Sequence, residues 1–128
     1  MGLHDDLPVY KASYDLLVEI FKFVRHFNKE FKYTVGDGLK NETMELLTLI
    51  YRANTCHEKT AVIQQAREKV ELIRLLMRLM MDLKQVNMQK FVFINEKIEG
   101  VSRQLVGWQK SQGVLMEKRI GFPKGEHL

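Results

Sequence analysis

Cysteine and proline are both scarce in this 128-residue chain. The one cysteine, Cys56, excludes an internal disulfide and a zinc site built on several thiolates, and it suits a reducing compartment. The two prolines, Pro8 and Pro123, both fall near the ends of the sequence. An interior without proline points to helices, because proline otherwise punctuates loops and ends strands. Long apolar runs are missing as well. The stretch from Leu75 to Leu83 is interrupted by Arg78 and Asp82 and is too short to cross a bilayer. The residues before Pro8 hold Asp5 and Asp6 and no apolar export segment. These absences lead to the expectation of a cytoplasmic protein with no membrane partner.

The signatures of catalysis are also lacking. His57-Glu58 begins like a zinc-protease helix, but position 61 is Ala where the second histidine would stand. His4, His26, His57 and His127 lie far apart, and Phe23 occupies the position where a di-iron helix would place glutamate three before His26. Gly36-Asp-Gly38 is followed at position 41 by Asn, has no strand before it and contains no Lys-Ser/Thr pair, so it matches neither a dinucleotide fingerprint nor a P-loop. Cys56 beside His57 is adjacency in sequence, which is not the spatial pairing that activates a thiolate. The expectation is therefore no enzyme, no catalytic residue, no metal and no cofactor.

What remains is amphipathic. Hydrophobic residues at 45% and charged residues at 28% are ordinary for one folded domain, and the length permits little more than one. From Pro8 onward, Val9, Ser13, Leu16, Leu17, Ile20, Phe23, Val24 and Phe27 recur at helical spacing. Thr34 or Asp37 is the expected N-cap of a second helix, with Leu39, Thr43, Leu46, Leu47, Ile50 and Ala53 on its apolar stripe. Thr55 with Glu58 has the spacing of a capping box before a third helix, about 60–83. Its main face is Val62, Ile63, Ala66, Val70, Ile73, Leu76, Met77 and Met80. After a turn at Gln85-Val-Asn87, with Asn87 as cap, Phe91, Ile94, Ile98, Val101, Leu105 and Trp108 mark a fourth helix ending near Gln109.

Short connections between helices of this length force neighbours to run antiparallel. The fold class expected is all-α, an antiparallel up-down four-helix bundle. Residues 1–7 form an N-terminal extension, 8–110 the bundle and 111–128 a flexible basic tail, with a transient turn at 114–118.

Two surface features stand out. Arg67, Arg74 and Arg78 share one side of the third helix, with Gln85 continuing the line, and Lys11, Lys22, Arg25 and Lys29 form a basic strip on the first. Guanidinium groups in a row suit phosphate oxygens. The same row also fits a solvated stripe paired with Glu68 and Glu71, and the residues alone leave both readings open. The net charge of +4 favours polyanion binding, which an oligomer would multiply. The second feature is surplus leucine: Leu72, Leu75, Leu79 and Leu83 widen the third helix's apolar face beyond what one core contact uses. Met44, Tyr51, Val18 and Tyr14 likewise point off their core stripes. Such residues form an exposed patch suited to a homo-oligomer interface, or else thicken the core.

The motifs Leu7-Pro-Val-Tyr-Lys-Ala-Ser-Tyr-Asp-Leu-Leu17, Lys32-Tyr-Thr-Val-Gly-Asp-Gly-Leu39, Gln64-Gln-Ala-Arg67 and Gln104-Leu-Val-Gly-Trp-Gln-Lys110 occur in order along the chain. Together they resemble a family of four-helix-bundle proteins. It comprises the ribosomal-RNA intervening-sequence proteins and the accessory variability (Avd) proteins of diversity-generating retroelements. The second and fourth motifs look more like the Avd branch. That resemblance implies a homopentamer with a central channel and a basic exterior. It also implies binding to a reverse transcriptase and to RNA or DNA, in support of error-prone copying of a template RNA. For the intervening-sequence branch it implies a four-helix protein of undefined role. A protein–protein adaptor with no nucleic-acid binding is the remaining alternative.

Overall fold

The computed structural model describes residues 7–120. Apart from Leu7, the expected N-terminal extension lies outside the described residues, as does the tail from 121 to 128. The described chain is helical, with α1 Pro8–Val24, α2 Lys29–Lys32, α3 Val35–Thr55, α4 Lys59–Asp82 and α5 Met88–Ile120. Helix α1 packs on α3 and α5, and α4 packs on the same two, so the long helices follow one another around a bundle. Val24, in the last turn of α1, lies against Gly36 at the start of α3, and Leu76 late in α4 lies against Gly38 early in α3. Arg67 early in α4 meets Gln109 late in α5, and Pro8 shares a cleft with Trp108. Each neighbouring pair therefore runs antiparallel, as in an up-down four-helix bundle.

The periodic stripes become the core. Leu16, Ile20, Leu39, Leu46, Ile50, Ile63, Ile73, Met77, Met80, Ile94, Ile98 and Leu105 are fully buried. Leu17 is half-covered, and Val62, Leu76, Phe91 and Trp108 pack on the core from its margin. Ser13 is fully buried on α1, and its hydroxyl has no hydrogen-bond partner.

The helix ends depart from expectation in informative ways. Helix α1 stops at Val24 rather than continuing through Phe27: the His26 and Phe27 N–H groups turn back to the carbonyls of Phe23 and Val24, each at 3.1 Å. Phe27 stays buried and packs edge-on against Phe23, with ring centroids 5.2 Å apart. At this end α3 packs tightly on α1, its Gly36 so close that an added Cβ would stand 2.5 Å from Val24 Cγ1. Because α1 ends at Val24, Arg25 is a capping residue and Lys29 belongs to α2, so the first basic strip does not lie on one helix.

Thr34 does precede α3, but its hydroxyl donates to the Glu30 carbonyl at 2.7 Å instead of capping α3, and Asp37 lies inside the first turn. The Thr55/Glu58 capping box does not form. Thr55 belongs to the last turn of α3, where its hydroxyl donates to the carbonyls of Tyr51 and Arg52. The Lys59 ammonium takes over the junction, donating to the carbonyls of Ala53, Asn54 and Cys56 at 2.8, 3.2 and 2.9 Å. A cation there satisfies orphan carbonyls and matches the negative end of the helix dipole.

Helix α4 ends in a Schellman turn. Lys84 is left-handed with φ 60°, its N–H bonds to Met81 O at 3.0 Å, and Gln85 N–H reaches Met80 O at 2.9 Å. Asn87 does cap α5, its Oδ1 accepting the Lys90 N–H at 2.8 Å. Helix α5 then continues to Ile120, past Ser111 and through Gly113, where the expected tail and its transient turn were placed. An interior glycine costs a helix about 1 kcal/mol, which a long run of good formers absorbs.

Candidate nucleic-acid and assembly surfaces

The arginines of α4 sit in three different settings. Arg67 donates to Gln109 Oε1 on α5, and the same Gln109 side chain donates to Thr60 O at 3.2 Å and Gln64 Oε1 at 3.0 Å. Two of the sequence motifs, Gln64-Gln-Ala-Arg67 and Gly-Trp-Gln-Lys110, thus meet in one polar network that ties α4 to α5. Arg74 is gripped in a fork by Glu99, through Nε at 2.8 Å and Nη2 at 2.9 Å, and also pairs with Glu71. The Arg74 hydrogen bond holds the Glu99 carboxyl below its ordinary pKa, and the Glu99 bond raises that of Arg74. Arg78 is open, with its side chain 71% exposed and its Nε 3.2 Å from Asp82. Gln85 does not extend the row, because its Oε1 accepts the Asn28 N–H at 2.8 Å and joins the two loops at that end of the bundle.

Of the other basic candidates, Lys11 pairs loosely with Asp15 at 3.4 Å and Lys22 with Glu19 at 3.7 Å. Arg25 Nε lies 3.5 Å from its neighbour Lys22's carbonyl, and Lys29 is exposed on α2. Lys69, on the α3 side of α4, is pinned by Glu45 at 2.9 Å and Glu42 at 3.0 Å, and its pKa is raised by those bonds.

The surplus leucines lie outside the protomer's core. Leu72, Leu75, Leu79 and Leu83 are 36%, 62%, 39% and 43% exposed and form the outer ridge of α4. Tyr14 and Met44 are exposed along the groove between α1 and α3, with Val18 half-covered beside them, and Tyr51 is exposed on α3. Sequence reasoning did not single out Glu99, Lys59 or Gln109. Gln109 was present in a quoted motif, but Glu99 becomes a partner only through the register of α5 against α4.

Among the described residues no group of three or more His, Cys, Asp or Glu is placed to hold a metal ion. No helix among them is long and apolar enough to cross a membrane. The described residues thus form an all-helical bundle with an exposed leucine ridge on α4. The model of the bAvd-like family, accessory variability proteins of diversity-generating retroelements, matches residues 9–112, and the chain belongs to that family. A search of curated proteins found no match.

Proposed function

We propose that this chain is a non-enzymatic accessory protein of a diversity-generating retroelement, acting in the cytoplasm. In this reading it binds a reverse transcriptase and RNA or DNA through the basic surface of a homo-oligomer. The family match over residues 9–112 carries the reading. The exposed ridge of Leu72, Leu75, Leu79 and Leu83 supports self-association, since burying it against another copy removes apolar area from water. The resemblance that implies a pentamer makes that the stoichiometry to test. Of the seven candidate cations, Lys11, Lys22, Arg25, Lys29 and Arg78 are exposed, whereas Arg67 and Arg74 contribute field from positions held by α5.

Lys11→Glu, Lys29→Glu and Arg78→Glu together are expected to weaken RNA retention and flatten its salt dependence, because each lost phosphate contact removes released counterions. The unaltered chain should be retained on RNA at about 0.1 M salt, where charges act over a Debye length near 10 Å. It should also co-purify with the reverse transcriptase of its own element. Absence of both overturns the proposal. The engagement of Arg74 by Glu99 and Glu71 favours one second reading, an adaptor that binds the polymerase alone. That reading predicts co-purification with no RNA retention.

A further inference from the structure

Several exposed aromatic rings in this molecule carry lysine ammonium groups. The Phe93 ring on α5 has Lys90 Nζ and Lys97 Nζ each 5.0 Å from its centroid. Phe21 on α1 has Lys40 Nζ at 5.0 Å, and Tyr33 after α2 has Lys32 Nζ at 5.8 Å. Phe21 and Phe93 are 40% and 43% exposed, which is costly for rings with no polar atom.

The two phenylalanines stand on opposite flanks of the C-terminal half of α1. Phe21 lines the groove toward α3 with Lys22, Arg25 and Lys40. Phe93 lies on the α5 flank: its neighbour Lys90 reaches Glu19 of α1 at 3.8 Å, and the same carboxylate meets Lys22 at 3.7 Å. Across α1 the side chains therefore run Lys40 and Phe21, then Lys22, Glu19 and Lys90, then Phe93 and Lys97. Arg25 lies one turn beyond Lys22. Glu19 is the acid within this row, with Glu96 and Asp15 at its margins, and Asp15 is paired with Lys11.

We propose that this face of α1, between Phe21 and Phe93, is a stacking platform for single-stranded nucleic acid. The inference rests on the nucleic-acid-binding function proposed above and adds the strandedness and the residues. A base laid on either ring removes apolar surface from water. The displaced ammonium groups remain within reach of the flanking phosphates. Stacking on phenylalanine needs no particular base, because every base has a π-face, so the platform is sequence-tolerant. A duplex keeps its base faces covered and offers the rings nothing.

The test is binding of the full chain to a short labelled oligouridylate and, separately, to a duplex of equal length. The unaltered protein should prefer the single strand. Phe21→Leu with Phe93→Leu keeps the apolar bulk, and a thermal melt checks the fold; it should cost roughly tenfold in single-strand affinity and leave duplex affinity unchanged. Lys90→Gln with Lys97→Gln should keep the preference but reduce the salt slope on the single strand by about 1.4. Unchanged single-strand affinity in the leucine variant, with the parent still binding, overturns the platform and leaves the broader function standing. Equal affinity of the parent for single strand and duplex overturns the platform too. Failure of the parent to bind either probe overturns both.

Discussion

Ile73 and Leu75 are two residues apart on α4 and nearly identical in chemistry, yet Ile73 is fully covered while Leu75 is 62% exposed. The contrast runs along the C-terminal half of the helix. Ile63, Ala66, Val70, Ile73, Met77 and Met80 face the bundle, and Leu72, Leu75, Leu79 and Leu83 stand outside it. Side-chain hydrophobicity alone does not decide which face becomes core. The neighbours α3 and α5 do, by covering one arc of α4. A protomer that leaves so much leucine in water carries a cost that association with another surface would offset.

The sharpest way to break the comparison is paired truncation. Ile73→Ala should cost about 2–5 kcal/mol in denaturant unfolding, because it removes buried methyl groups and leaves a cavity. Leu75→Ala should change protomer stability by no more than about 0.5 kcal/mol. Replacing all four outer leucines by glutamine should reduce the mass in light scattering while the helical circular dichroism persists. Equal destabilisation by Ile73→Ala and Leu75→Ala in a monomer would mean that the outer ridge is covered within its own chain.

A smaller effect separates the held arginine from the open one. Glu99→Gln should destabilise the fold more than Asp82→Asn, since the first removes a forked partner of the half-covered Arg74 and the second an exposed pair. The sign follows from the direction of the Glu99 shift. A carboxyl held lower in the folded state than its ordinary 4.5 adds stability that is present above that pH. The contribution disappears as pH falls through the folded value. The gap between Glu99→Gln and the parent should therefore close in acid unfolding measurements below about pH 4.5.

A modest effect of opposite sign lies at Ser13, a polar group placed among buried apolar residues. Its hydroxyl is covered and unpartnered, so Ser13→Ala should raise stability by about 1 kcal/mol in thermal or denaturant unfolding. A loss of stability would mean that the hydroxyl has found a partner, such as a carbonyl of its own helix.

The four long helices were legible before any coordinates because each carries apolar residues every three or four positions, and Asn87 was legible because amide oxygens suit an N-cap. The ends were less so. Thr55 and Glu58 have capping-box spacing, but α3 runs on through Thr55 and Lys59 serves its carbonyls instead. Gly113 reads as a breaker, yet α5 passes through it. For the candidate arginines, spacing reports that they share α4 but not which α5 side chains hold them. Glu99 and Gln109 are distant in sequence, and no periodicity within α4 reports the register of another helix.

Local pattern thus determined the helical class and the apolar stripe of each helix, because both depend on a repeat that a few turns suffice to define. Packing alone decided which arginines are held and that the α4 leucines remain outside. Those outcomes depend on how closely backbones approach and on which side chains two separately coiled segments bring within hydrogen-bonding distance.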